Sequence, residues 1–98
     1  MEKRRQPEII AGYVGSDGSI QRSTAEGVVG GRTAVGQFNL TFPSNFRLHT
    51  ITVTGGGAVA VCRIDSITER VVSMTWVTPN TVAAVDTNYS FVAVGIQV

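Results

Sequence analysis

The run Gly36-Gln37-Phe38-Asn39-Leu40-Thr41-Phe42 constrains this chain more than any other part of it. Apolar residues at 38, 40 and 42 alternate with polar ones at 37, 39 and 41. Successive side chains of an extended chain point to opposite faces, so this is a strand with one face on a core and the other in water. Pro43 ends it, having no N–H to give to a ladder. The alternation returns in Thr50-Ile51-Thr52-Val53-Thr54, closed by Gly55-Gly56-Gly57, and in Val72-Ser73-Met74-Thr75-Trp76, closed near Pro79-Asn80. The residue inventory agrees: 15 Val and 11 Thr against 2 Leu and 1 Lys. Branched Cβ atoms are stiff in a helix and pack well on a pleated surface.

Eleven glycines punctuate the chain, which reads as many short strands joined by turns. Gly12-Tyr13-Val14 and Ser19-Ile20-Gln21 flank Ser16-Asp17-Gly18, and an Asp-Gly pair supplies the positive φ angles of a tight turn, so a first hairpin is expected there. Residues 63–70 read as a polar loop, with a helical turn as the alternative because Ser66 and Glu69 have capping-box spacing. Residues 1–9 are charged and contain Pro7. They are expected to form a flexible or docking tail ahead of a single antiparallel β-sandwich domain over residues 10–98.

Two strands depart from alternation. Ala58-Val59-Ala60-Val61-Cys62 is apolar on both faces. In Tyr89-Ser90-Phe91-Val92-Ala93-Val94-Gly95-Ile96, one face carries Tyr89, Phe91 and Ala93, and the other Val92, Val94 and Ile96. A strand in a small sandwich has one core to face, so the second face needs another cover. A chain of 98 residues buries a modest core. It has one cysteine, Cys62, and one histidine, His49, so neither a disulfide framework nor a Cys/His metal cage adds to that core. Association with further copies of the chain is the expected help.

Binding rather than catalysis is the expected activity, with no cofactor. His49 has no acidic residue within ten positions to serve as a triad partner. Asp65 and Glu69, the closest pair of acids, sit between Arg63 and Arg70 and read as solvated charge rather than a glycosidase pair. Gly27-Val28-Val29-Gly30-Gly31-Arg32-Thr33 lacks the lysine of a phosphate-binding loop and precedes no helix. Asn39-Leu40-Thr41 and Asn88-Tyr89-Ser90 match the glycosylation pattern without an expected route to that modification. Trp76, Tyr13 and Tyr89 have the chemistry to stack on sugar rings, but Trp76 shares its face with Val72 and Met74 and is read as core.

A net charge of +1, with 15% charged residues, argues against a nucleic-acid partner. Lys3, Arg4 and Arg5 supply three of the eight basic residues, and with Pro7 they are the expected docking segment. No apolar run is long enough for membrane insertion, and none near the start is long enough for a signal peptide, so synthesis in the cytoplasm is expected.

One ordered run carries a resemblance. A Gly-Tyr-Val strand and the turn at Ser16-Asp17-Gly18-Ser19-Ile20 lead into a glycine-rich strand pair. Gly36 to Phe42 with Pro43-Ser44-Asn45-Phe46, a Thr/Val strand, and Tyr89-Ser90-Phe91-Val92-Ala93-Val94-Gly95 follow. Over residues 12–96 this resembles the small β-sandwich domains at the C-terminal tips of bacteriophage tail fibres and related virion surface proteins. The resemblance implies a jelly-roll-like, homotrimeric knob on the virion surface. Its partners would be copies of itself, other virion proteins and a host surface glycan or protein, and its role decoration of the capsid or host attachment. Family binding residues lie in variable loops, so the resemblance assigns none here. Tail-fibre tips follow a long stalk, and no heptad or collagen-like repeat precedes this domain. A stand-alone knob anchored by residues 1–9 is therefore the expected form.

Overall fold

A computed structural model describes residues 7–55 and 60–98. It contains eight strands: β1 (Pro7–Val14), β2 (Ile20–Ser23), β3 (Val29–Ala34), β4 (Gln37–Thr41), β5 (Phe46–Gly55), β6 (Val61–Thr68), β7 (Val71–Val77) and β8 (Tyr89–Gln97). They form two four-stranded sheets, ordered β2-β1-β8-β5 and β3-β4-β7-β6. Every pairing between these strands is antiparallel.

The alternation read from the sequence decides which side chains lie between the sheets. From the first sheet come Ile10, Val14, Phe46, Leu48, Tyr89, Phe91 and Ala93; from the second come Phe38, Leu40, Val72, Met74 and Trp76, with Phe42 just past the end of β4. Rings meet across the gap: Phe38 stands edge-on to Tyr89 at 5.7 Å, Phe42 edge-on to Phe91 at 5.8 Å, and Trp76 lies tilted over Tyr89 at 5.6 Å. Such edge and tilted contacts suit the ring quadrupoles better than face-to-face stacking. Two sheets joined by one interdigitated apolar layer are a β-sandwich.

Glycine makes room for two of these rings. Gly95 on β8 lies beside Leu48 of β5, and a Cβ there would overlap the Arg47 carbonyl oxygen and stand 2.7 Å from Cζ of Phe46. Gly12 on β1 lies opposite Phe91, whose Cε1 would be 2.7 Å from an added Cβ. At both places an aromatic ring covers a strand position that has no side chain of its own.

The first hairpin joins β1 to β2 around Asp17-Gly18 as expected, through a five-residue connection, residues 15–19. Gly18 has φ 88°. The Gly15 carbonyl accepts from the Gly18 N–H at 2.9 Å, while Asp17 Oδ1 accepts from the Ser19 N–H at 3.0 Å and from its hydroxyl at 2.6 Å.

Two expectations change. Pro7, Glu8 and Ile9, expected in the tail, pair with Ile96, Gly95 and Val94 and open β1, while residues 1–6 lie outside the described residues. Proline is tolerated there because it is the first residue of the strand. Residues 63–70 form neither a loop nor a helical turn. Residues 63–68 belong to β6, which pairs with β7 along its length, and Glu69-Arg70 form the turn between the two. The polar composition that suggested a loop belongs to an edge strand with much of its surface in water. Of the expected doubly apolar strand at 58–62, Ala58 and Val59 lie outside the described residues, and β6 begins at Val61.

Irregularities fall at the edges. The pairings that attach the outermost strands β2, β3, β5 and β6 each contain a register shift, near Tyr13/Val14, Arg32/Ala34, Leu48/Thr50 and Ile64/Ser66. The inner pairings β1–β8 and β4–β7 run without one.

Candidate functional site

β8 lies between β1 and β5, so its outward side chains occupy the middle of a sheet face. Phe91 and Ala93 are buried in the core, which leaves Ser90, Val92, Val94 and Ile96 on the opposite side. Register sets Ala11 and Thr52 beside Val92, Ile9 and Thr50 beside Val94, and Pro7 and Arg47 beside Ile96. One half of the face is therefore an aliphatic stripe across β1 and β8; the other is a row of threonines on β5. Ile9 is 64% exposed and Val92 45%. The doubly apolar character of the last strand is thus real, and its second face has no cover within the chain's described residues.

Tyr13 stands at one end of the stripe, opposite Arg22 on β2 and Ser90 on β8. With Gln21 and Arg22 it lines an open depression of about 430 Å³. The Asn88 amide donates to Tyr13 Oη. Trp76 and Tyr89, the other two aromatics considered for sugar stacking, are 2% and 0% exposed and belong to the core.

Three carboxylates, Asp17, Asp65 and Asp86, are committed to structure. Asp86 receives Arg32 on both oxygens, at 3.0 and 2.9 Å, and the Gly36 N–H at 2.8 Å. Arg32, and then the Gly36 N–H, hold its carboxyl below the usual range. This pins the β3–β4 turn to the segment entering β8. Asp65 accepts from Thr75 Oγ1 at 2.5 Å and from Arg63 Nε at 2.8 Å, and these two bonds lower it, Thr75 more than Arg63. Asp17 is lowered by the Ser19 hydroxyl and N–H in the first turn. All three are stabilised as anions, opposite to what a general acid requires.

His49 is exposed on β5 at the register shift. Burial, with the Asp65 charge adding to it, pushes the Cys62 thiol up to about 11, so it stays protonated at neutral pH. Among the described residues no three His, Cys, Asp or Glu side chains gather as metal ligands would. Of the expected docking residues, Lys3, Arg4 and Arg5 lie outside the described residues, and Pro7 is exposed at the start of β1.

Val82, in the β7–β8 connection, has φ 54° and is 70% exposed. A β-branched residue in the left-handed region is strained, and no packing offsets it there. Its N–H donates to the Thr78 carbonyl at 2.9 Å, and Thr78 in turn donates its N–H to Ala83, which fixes the loop in that shape. No sequence signal marks this position, because the strain arises from the loop closing on itself.

No family model matches the chain, and no curated protein or solved structure matches it.

Proposed function

We propose that the chain acts by binding, as a bacteriophage virion surface protein that assembles into a homotrimer and decorates the particle or tips an appendage. The reading rests on the sequence resemblance, and the observation that carries it is the uncovered aliphatic stripe on β1 and β8. From strand spacing and rise, the face measures roughly 19 by 27 Å, or about 500 Å² in plan before side-chain relief. That is the scale of a specific interface, which buries about 800 Å² per partner. An aliphatic centre bordered by Thr50, Thr52, Thr54 and Arg47 also has the apolar core and polar rim of an interface. The strand order keeps β1–β2, β3–β4 and β6–β7 each within one sheet, so the reading draws on the sandwich and not on a jelly-roll wrap.

In this reading Lys3, Arg4, Arg5 and Pro7 dock to other virion proteins, and Pro7 enters the fold beside Ile96 at one end of the stripe. The loops face outward towards a host surface glycan or protein, and several copies convert weak contacts into avidity. Light scattering after gel filtration is the direct test. A mass near three times the 10.4 kDa chain is expected; a monomer at micromolar concentration would refute the trimer. Removing residues 2–6, which leaves β1 whole, is expected to abolish incorporation into particles, and normal incorporation would refute docking by that segment.

The depression beside Tyr13 favours a second reading, a carbohydrate-binding module unrelated to phage. A ring flanked by the planar polar groups of Gln21 and Arg22 suits a pyranose, whose apolar face stacks while its hydroxyls take hydrogen bonds. Binding by the isolated domain on a glycan array, lost in Tyr13→Ala, is the expected outcome; an array with no signal would remove this reading.

A further inference from the structure

The β1–β2 turn contains a reactive peptide step. Asp17-Gly18 is the chain's single Asp-Gly step. In such a step the glycine nitrogen can attack the aspartate side-chain carboxyl, because no Cβ on the glycine stands in the way. The bond from nitrogen to Cγ forms, the nitrogen gives up its proton, and a carboxyl oxygen leaves as water, which closes a five-membered succinimide. One water then reopens the ring. Where the bond between the Asp17 carbonyl carbon and the Gly18 nitrogen breaks, the chain runs on through Cγ and the residue is an isoaspartate. Water is the only co-reactant.

The fold holds both reacting groups. Gly18 is buried, and its N–H donates to the Gly15 carbonyl at 2.9 Å. Asp17 Oδ1 accepts from the Ser19 hydroxyl at 2.6 Å and from the Ser19 N–H at 3.0 Å, the turn that an aspartate side chain forms with the backbone two residues on. Ser19 is itself held, because Gln21 Nε2 donates to its Oγ at 2.9 Å. A Cβ on Gly15 would stand 3.1 Å from Asp17 Oδ1, so this oxygen lies against Gly15. The Ser19 hydroxyl, and then its N–H, keep the carboxyl below its ordinary value and so in the anionic form, a poorer electrophile than the acid.

We infer that Asp17-Gly18 is a site of isoaspartate formation that the folded β1–β2 turn keeps closed, and that reacts when Asp17 is released from Ser19 and Gly18 from Gly15. The product disturbs the turn. The turn lies backbone to backbone against β3: a Cβ on Gly30 would overlap the Gly18 carbonyl oxygen, and one on Gly18 would stand 2.6 Å from the Gly31 carbonyl carbon. An isoaspartate adds one methylene to the main chain just ahead of this contact. It also removes the carboxyl that Ser19 holds and puts another on the former main-chain carbon. An isomerised turn has therefore lost the bonds that kept it closed.

The test incubates the full chain, folded and in urea, in warm neutral buffer made with heavy-oxygen water, and maps the peptide holding Asp17 by mass spectrometry. Isoaspartate carrying one heavy oxygen is expected in the unfolded chain. In the folded chain it should form about tenfold more slowly, because the bonds on Asp17 and Gly18 must open first. Ser19→Ala keeps the N–H bond and removes the hydroxyl. It is expected to isomerise several-fold faster than the folded wild type, with unchanged circular dichroism. Equal rates in the folded and unfolded wild type would overturn the closed site without requiring any variant to fold. An unfolded chain that forms no isoaspartate would overturn the site altogether, and a folded Ser19→Ala protein reacting at the wild-type rate would overturn the hold by Ser19.

Discussion

Two glycine-to-alanine substitutions should shift stability in opposite directions. At a backbone conformation open to any residue, Gly→Ala gains about 0.4–1 kcal/mol, because the unfolded chain has fewer states to lose. Gly31 meets those conditions: its φ lies outside the left-handed region, and an added Cβ has nothing within 4 Å. Gly95 has a similar φ freedom but no room. Its Cβ would overlap the Arg47 carbonyl oxygen, which is held by the β5–β8 pairing, and would press on Phe46, which is 3% exposed and lies 5.3 Å from Phe42. Overpacking a core costs about 1–3 kcal/mol, and a clash with backbone belongs at the upper end of that range. For a domain of this size 1 kcal/mol moves Tm by about 4–8 °C. Gly31→Ala should therefore raise Tm by about 2–8 °C, and Gly95→Ala should lower it by about 10–20 °C. Urea unfolding followed by Trp76 fluorescence, at one fixed protein concentration, gives the free energies; association makes stability depend on concentration. If both variants move the same way, or Gly95→Ala stays within about 0.5 kcal/mol of wild type, the account of the ring over the glycine is wrong.

Val82→Gly should stabilise the chain, because an L-residue in the left-handed region costs about 1–2 kcal/mol and Val82 is too exposed to recover it by packing; a lower urea midpoint would contradict this. Asp17, Asp65 and Asp86 have folded pKa values below their unfolded ones, so the stability they add is present above the ordinary carboxylate value. It is lost as pH falls through that value towards the lower folded ones. Asp86→Asn should flatten the acid limb of an unfolding-midpoint series, and an unchanged limb would show that the Arg32 pair adds nothing. Cys62 acts at the other end: its folded pKa of about 11 lies above the ordinary 9.0, so stability should fall as pH rises through that interval. Below pH 9 the folded thiol should react with a disulfide reagent about 100-fold more slowly than in the urea-unfolded chain; equal rates would refute its burial.

Much of this architecture was legible because alternation is a local property. Phe38, Leu40, Val72, Met74 and Trp76 could be assigned to one core by counting in twos, and β8 could be recognised as apolar on both faces. Edge strands gave a weaker signal. In β6 the bulge near Asp65 interrupts the count of two, and exposure on both sides removes the contrast between faces, so residues 63–68 resembled a loop. What depends on register was not legible at all. Arg32 and Asp86 are 54 residues apart, and Phe46 covers Gly95 only because β5 and β8 pair in one particular alignment. The candidate surface was half legible: the sequence names Val92, Val94 and Ile96, but Ile9, which its charged surroundings assign to the tail, joins them only through the β1–β8 pairing.

Two kinds of surface can bring copies of a β-sandwich together: the open edges, by extending a ladder, or a face, by burying apolar side chains. The irregularities separate them. All four outermost strands are attached through pairings that carry a register shift, and shifts of this kind bend and twist an edge away from an incoming strand. β6 adds charge, with Arg63 and Asp65 on its exposed length. The inner β1–β8 pairing is regular, and it holds Ile9, Val92, Val94 and Ile96 on one face of the sheet. Edges shaped against pairing beside a regularly paired, exposed aliphatic face favour association through the face. Val92→Asp places a charge at the middle of the stripe and should reduce the molar mass to that of one chain, while far-ultraviolet circular dichroism stays unchanged because the side chain points away from the core. Ile67→Lys, at a 48% exposed position on the β6 edge, should leave the mass unchanged. The reverse pattern would mean that the copies meet edge to edge and that the aliphatic stripe has another occupant.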